Sequence, residues 1–223
     1  MISDFISLLF PRCCVVSGKP LARGEQFISF EVVASLSRYD LHASNENLYR
    51  KFLGLVNIEY VWAHYKFSKK SNVQKLMHQI KYNNVPELGE LSGRWLGDAI
   101  QALKPNIDLI IPVPMHPAKR RKRGYNQADY IAKGVAEILH IEWNPEIMTK
   151  IKNTSTQTKK GRKERFDNAR NIYQVKNQKM LAGKRVLIVD DVITTGATIG
   201  QCAQLLIESG CASVSVAALA AAE

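Results

Sequence analysis

Two adjacent carboxylates, Asp190 and Asp191, follow the aliphatic run Val186, Leu187, Ile188 and Val189, and the chain continues Val192, Ile193, Thr194, Thr195, Gly196, Ala197, Thr198. Acids at the end of a hydrophobic strand are costly unless a cation or a polyol receives them. The Thr-Thr-Gly-Ala-Thr stretch has the opposite chemistry. Hydroxyls, a glycine that lets the backbone close tightly, and the free N–H groups of a helix start all suit an anion. Asp190 and Asp191 cannot be phosphate ligands, because like charges repel. A sugar phosphate satisfies both halves, offering hydroxyls to the acids and a monoester to the turn.

These residues need a strand before them and a helix after them, and the patterning provides both. The segment KRVLIVDD reads as a buried strand, and ATIGQCAQLLIESG as a helix ending at Gly210. The run IDLIIPVP is a second short strand, followed by the helical pattern YNQADYIAKGVAEILH with Tyr130, Ile131, Val135, Ile138 and Leu139 in phase. Upstream, Val73, Leu76, Met77 and Ile80 recur at helical spacing, Pro86 opens another helix, and ASVSVAALAA closes the chain as a strand. Val- and Ile-rich runs without polar alternation, separated by helices, predict an α/β fold: a mostly parallel central sheet with helices on both faces. Residues 1–60 lack a clear period and are expected to form a small N-terminal domain, with the α/β unit at 61–223.

The chain has 223 residues, of which 46% are hydrophobic, enough for a real core. No apolar run approaches the ~18 residues a membrane span needs, and the first residues lack the basic start of a signal peptide, so no membrane insertion and a cytoplasmic location are expected. Cys13, Cys14, Cys202 and Cys211 are too few and too unevenly spaced for a disulfide framework. The net charge is +11, and residues 116–170 hold fourteen Lys and Arg against six Asp and Glu, or +8. That clustering implies an anionic partner.

The strand, acid pair and Thr-Thr-Gly-x-Thr turn resemble the phosphoribosyl pyrophosphate (PRPP) signature of type I phosphoribosyltransferases. The resemblance implies that Asp190 and Asp191 hold the ribose 2- and 3-hydroxyls with Mg2+ nearby, and that Thr194, Thr195, Gly196, Ala197 and Thr198 wrap the 5-phosphate. The segment IIPVPMHPAKRRKRGYNQADYIA is similar to one branch of that family, the ComF competence proteins. In that comparison Pro112, Val113 and Pro114 form the pyrophosphate loop, with backbone amides facing the leaving group, and Arg123 opens the RGYNQ motif. The polar stretch NTSTQTKKGRKERFDNARNIY looks like the family's flexible loop, with Thr156, Gln157, Lys159, Lys160, Arg162, Arg165 and Asn168 in it. Asp190, Asp191 and Arg165 are the expected catalytic residues. Closure of such a loop would keep water from an oxocarbenium-like centre.

Members of the ComF family commonly carry four zinc-binding cysteines near the N-terminus. Here Cys14 remains, while Ser17, Ser29 and Val32 stand at the other positions, and one thiolate does not build a tetrahedral zinc site. No zinc is expected; packing of Phe10, Phe27, Phe30 and Leu36 is expected to hold this region, with His42 and His64 as ordinary surface or satisfied residues. Cys202 and Cys211 read as small buried apolar residues.

The resemblance implies transfer of a phosphoribosyl group from PRPP, with Mg2+, to an amine or base nitrogen, releasing pyrophosphate. Thr194 stands where 6-oxopurine salvage enzymes place an acid, which disfavours hypoxanthine or guanine as acceptor. No glutaminase nucleophile is present for a complete glutamine-dependent amidotransferase. Two other readings stay open. One is a competence protein that binds single-stranded DNA through the basic segment, with competence-machinery proteins as partners; only Tyr125, Tyr130 and Tyr173 are interleaved with the basic residues, which is thin support for base stacking. The other is a PRPP-sensing regulator. All are compatible with an oligomer.

Overall fold

The computed structural model describes residues 11–41, 46–83, 85–152 and 172–222. Helices α1 (Phe30–Ser35) and α2 (Glu46–Arg50) lie in the N-terminal region. Strand β1 (Val61–Phe67) is followed by α3 (Asn72–Tyr82) and α4 (Pro86–Gln101). Then come β2 (Leu109–Pro112), α5 (Pro117–Arg123) and α6 (Gln127–Leu139). Short strands β3 (Met148–Lys150) and β4 (Tyr173–Val175) precede β5 (Arg185–Ile193), α7 (Ala197–Glu208) and β6 (Ser213–Ala222).

The central sheet has the order β1-β6-β5-β2 and is parallel throughout. Its two middle strands, β5 and β6, are also its longest, and β5 carries the acid pair. In an open parallel sheet the ligand sits beyond the carboxyl ends of the strands, so the end of β5 is where a site belongs. The antiparallel ribbon β3–β4, which the sequence patterning did not suggest, lies outside this sheet.

Both faces are covered, as expected. On one face Leu187 and Val189 of β5, with Ala217 and Leu219 of β6, pack against α3, α4 and α6. On the other, Val186 and Ile188, with Val216 and Ala218, pack against α7. The α3 stripe is the one its spacing predicts, Val73, Leu76, Met77 and Ile80, and Ser71 caps the helix by accepting from the Gln74 amide at 3.1 Å. Helices α4 and α6 meet backbone to backbone. A Cβ on Gly93 would fall 2.2 Å from the Ile131 carbonyl oxygen, and one on Gly134 2.1 Å from that of Glu90, so only glycine permits this approach.

Residues before position 60 share these cores. Cys14, Val16, Ile28, Val32 and Leu36 join the first, and Leu48, Phe52 and Ile58 the second. The segment also extends the sheet edge, the Tyr39 amide donating to the His64 carbonyl at 3.0 Å and the Lys66 amide to that of Ser37 at 2.9 Å. Of the aromatic residues expected to hold this region, Phe27 packs on the core, but Phe30 is 66% exposed. Phe30 opens α1, and Val32 takes the inward position instead. Phe10 and His42 lie outside the described residues. His64 is buried, its Nε2 has no hydrogen-bond partner among the described residues, and burial, then the Arg38 charge, lowers its pKa to about 4.

Candidate functional site

Successive side chains of a strand point to opposite faces. The inward alternation of β5 therefore separates the two acids: Asp191 continues the face of Leu187 and Val189, and Asp190 that of Val186 and Ile188. Lysines stand near the pair on both sides. On the α3 side, Lys81 Nζ lies 3.1 Å from Asp191 Oδ2, the two side chains being only 26% and 16% exposed. On the α7 side, Asp190 lies within the field of Lys150, which stands at the end of β3 with its Nζ 5.1 Å from the Tyr173 ring centroid. Asp190 also accepts the Asp191 amide at 2.8 Å. Burial, then the neighbouring Asp191 charge, pushes the Asp190 carboxyl above the usual range, while Lys81 and Lys150 pull it back. Burial and then Lys119 lower the Lys150 ammonium, and burial chiefly raises the Tyr173 hydroxyl and the Cys202 thiol beside it.

The turn after β5 is built for an exposed rim on a fixed base. Thr194, Thr195 and Thr198 are exposed, while Gly196 is buried at φ 76° and leads directly into α7. The Ala197 amide reaches Thr195 Oγ1 at 3.4 Å, and the Gly200 amide closes the first helical turn on the Gly196 carbonyl at 2.7 Å. The turn is backed from the N-terminal region. Lys51 Nζ donates to the Thr194 carbonyl at 3.0 Å, and a Cβ on Gly196 would fall 2.8 Å from the Lys51 carbonyl oxygen and 3.2 Å from the Phe52 ring.

The end of β2 departs from expectation. Pro112 and Pro114 have no N–H, and the Val113 amide donates to the Val189 carbonyl at 2.8 Å, so none of the three offers a free amide to a leaving group. Their contribution is to fix where the following residues start. Asn126 Nδ2 secures this strand end by donating to the Val113 carbonyl at 3.1 Å and to Asp129 Oδ1 at 2.6 Å. Burial first, against Asn126 and Arg120, raises the Asp129 pKa to about 6. The Tyr125 hydroxyl donates to the Ile80 carbonyl, and the Arg123 guanidinium lies 5.2 Å from the Tyr82 ring centroid. The RGYNQ motif thus clamps the end of β2 to the end of α3, which brings Lys81 to the acids.

A sequence model described as the phosphoribosyl transferase domain matches residues 79–223. The chain belongs to that family. Its relatives include competence protein F of Haemophilus influenzae, 33% identical over 155 residues, which are 66% of this chain and 67% of the relative. The DNA utilization protein YhgH of Shigella flexneri is 33% identical over 146 residues, and the match spans 63% of the length of each chain. Among solved structures, the glutamine PRPP amidotransferase from B. subtilis complexed with ADP and GMP superimposes with a TM-score of 0.45 at 21% identity, covering 64% of this chain and 30% of that one.

As a member of the phosphoribosyl transferase domain family the chain has the family's fold, and its acid pair and threonine-rich turn lie at the carboxyl end of β5, where an open parallel sheet places ligands. The expected flexible-loop residues, Thr156, Gln157, Lys159, Lys160, Arg162, Arg165 and Asn168, lie outside the described residues. The described chain on either side is joined by the β3–β4 ribbon, where the Ile151 amide meets the Ile172 carbonyl at 2.8 Å. The few tyrosines interleaved with the basic residues offer little to a base: Tyr125 and Tyr173 are 6% and 5% exposed, and Tyr130 is half-buried. Tyr82, 62% exposed between His78 and Arg123, is the aromatic that faces solvent here.

At the cysteine-poor end the structure does bring the four named positions together. Cys14 Sγ accepts the Ser29 amide at 3.4 Å, and Ser29 Oγ accepts the Val32 amide at 3.4 Å. Burial raises the Cys14 thiol, but hydrogen bonds from Ser17, Ser29 and Val16 bring it down to about 7. One sulfur beside two hydroxyls and a valine does not fit a structural zinc. Sequence reasoning missed Lys81, Lys150 and Lys51. The available signal was the need of two part-buried acids for cations on both faces of one strand.

Proposed function

We propose that this chain is a PRPP-dependent phosphoribosyltransferase of the ComF type, acting in the cytoplasm and without zinc. The observation that carries this reading is the acid pair at the carboxyl end of β5, running directly into a threonine-rimmed turn at the N-terminus of α7. Carboxylates receive the ribose hydroxyls, and the amides and hydroxyls of residues 194–198 receive the 5-phosphate. The bond that breaks joins the ribose C1 to a diphosphate oxygen, and its electron pair leaves with pyrophosphate. The lone pair of the acceptor nitrogen forms the new bond to C1, and its surplus proton goes to solvent.

Mg2+ is commonly held by one or two carboxylates together with substrate phosphates rather than by an all-protein cage, and the two acids fit that arrangement. When bound, the ion supplies positive charge to the departing pyrophosphate. Asp190 and Asp191 are the residues that would hold it with the ribose. A cleft of about 940 Å³ lined by Arg38, Asp40, Glu46, Arg50, Lys51 and Lys66 adjoins the turn through Lys51, and we assign it to the acceptor. Four cations against two acids favour an acceptor that carries an acidic group of its own.

Calorimetric binding of PRPP with Mg2+, to the wild type and to an Asp190→Asn, Asp191→Asn double variant, is the test. Saturable binding lost in the variant, with pyrophosphate released in the presence of an amine or base, supports the transferase. PRPP binding with no release across anionic and neutral acceptors leaves a PRPP-sensing protein. Absence of PRPP binding removes both.

A second reading is favoured by a specific surface. Helix α5 carries Lys119, Arg120, Arg121, Lys122 and Arg123 in succession, and Tyr82 stands exposed beside Arg123 with the His78 ring 4.8 Å away. Successive cations beside an open aromatic suit a single nucleic-acid strand, since phosphates give affinity and bases stack on π faces. This fits relatives whose names refer to competence and DNA utilization. Replacing Arg120 and Arg121 by Gln should lower the salt slope of single-stranded DNA binding by about 0.7 per charge removed. An unchanged slope rules this surface out.

A further inference from the structure

We propose that Lys81 is a positioning residue of the ribose-phosphate site, holding the Asp191 carboxylate in the orientation that the sugar meets. The inference rests on the transferase reading above and names a residue outside the PRPP signature. Lys81 is the next-to-last residue of α3, and its Nζ lies 3.1 Å from Asp191 Oδ2 across the helix–sheet boundary.

Three observations separate this contact from an incidental surface pair. Both partners are largely withdrawn from water, at 26% and 16% side-chain exposure, so the pair is weakly screened and its geometry is held. The helix does not need the pair to stay in place. Val73, Leu76, Met77 and Ile80 anchor α3 in the core, and the Tyr125 hydroxyl fixes its last turn through the Ile80 carbonyl. Those anchors decide where Lys81 stands, and the RGYNQ segment that supplies Tyr125 also holds the end of β2 through Asn126. One network therefore sets the register of the lysine, the acid and the neighbouring strand end. The alternation of β5 adds the third point. Asp191 continues the sheet face that α3 covers and Asp190 the opposite one, so the ion-pair contact to Asp191 comes from the α3 side, through Lys81.

With Lys81 in place one Asp191 oxygen is engaged, and the carboxylate presents a fixed remaining edge to the ribose. Without it the carboxylate is free to rotate and lacks its counter-charge. PRPP binding should weaken for that reason, without loss of the fold.

The test is a double-mutant cycle on PRPP affinity, read by calorimetry with Mg2+ present, at protein concentrations above the weakened dissociation constants. Lys81→Met is expected to weaken PRPP binding about tenfold, and Lys81→Arg, which keeps the charge and reach, to recover most of it. In an Asp191→Asn background, Lys81→Met is expected to cause little further loss, because the residue acts through Asp191. Thermal unfolding midpoints of all variants control for folding. Wild-type affinity in Lys81→Met overturns the proposal while the transferase reading stands, as does a tenfold loss that persists undiminished in the Asp191→Asn background. If the wild-type protein binds no PRPP, the transferase reading falls and this inference falls with it.

Discussion

Replacing Gly196 by alanine separates two contributions to the turn between β5 and α7. Gly196 sits at φ 76°, and an added Cβ would lie 2.8 Å from the Lys51 carbonyl oxygen, 3.2 Å from Lys51 Cβ and 3.2 Å from the Phe52 ring. A left-handed backbone costs a non-glycine residue about 1–2 kcal/mol. Forcing a methyl against a backbone carbonyl and a buried ring adds about 1–3 kcal/mol. Gly183 provides the control, since its φ is 69° and none of the described residues lies within 4 Å of its added Cβ. Gly183→Ala should therefore lose the backbone contribution alone, and Gly196→Ala about 2–5 kcal/mol in all. Urea unfolding of the two variants and the wild type measures the difference, and the same ranking should appear thermally at about 2–4 °C per kcal/mol. PRPP affinity should be intact in Gly183→Ala and should drop at least about tenfold in Gly196→Ala, because relief of the contact moves the turn. Equal destabilisation of the two variants would refute the claim that residues 51–52 brace the turn. Wild-type PRPP affinity in Gly196→Ala would refute its role in the site.

Two further outcomes concern pH. The Asp108 carboxyl is held far below its ordinary value of 3.8 by hydrogen bonds from the Arg185 side chain and amide, at 2.6, 2.8 and 2.9 Å. A depressed acid contributes stability above its ordinary pKa and loses it as pH falls below, so Asp108→Asn should lower the urea midpoint at pH 7 and narrow its gap to the wild type toward pH 2. A pH-independent gap between the two proteins counts against this assignment. His64 works in the other direction from a group that gains charge on folding. Its folded pKa of about 4 lies below the ordinary 6.5, so the unfolded chain binds the extra proton in that window and stability falls as pH drops through it. The full effect is about 3 kcal/mol, and His64→Phe should abolish it while removing a buried nitrogen that has no partner among the described residues. An identical loss of stability from pH 7 to pH 4.5 in the variant sinks the idea.

How much of this was legible in the sequence depends on how local each signal is. The strand, the acid pair and the turn at Gly196 are local: aliphatic runs specify a buried strand, and a left-handed position needs glycine whatever surrounds it. Helices α3, α4 and α6 follow from periodicity for the same reason. Strands β3 and β4 did not emerge, because three residues each give no period to detect, and their pairing spans a long intervening segment. The thin support that Tyr125, Tyr130 and Tyr173 gave to base stacking disappears for two of them on folding, because proximity to basic residues along the chain says nothing about burial, and Tyr125 spends its hydroxyl on the Ile80 carbonyl of α3.

The acid pair itself shows where a further step was available. Asp190 and Asp191 were treated as one bidentate grip on the ribose, yet a period of two in a strand turns adjacent side chains to opposite faces. Two part-buried carboxylates on opposite faces call for two counter-charges, one from each covering layer. The layer over the Asp191 face includes α3, whose last turn ends Lys81, Tyr82, and the layer over the other face receives Lys150 from β3. Lys81 follows Ile80, the last in-phase apolar residue of α3, and at a helix end a long cation can reach over the edge of the core. What the chain could not disclose without its fold is that α3 ends at the carboxyl edge of β5. The Tyr125–Ile80 and Asn126–Val113 contacts of RGYNQ impose that juxtaposition, and they make a motif adjoining the end of β2 a determinant of where the lysine over Asp191 stands.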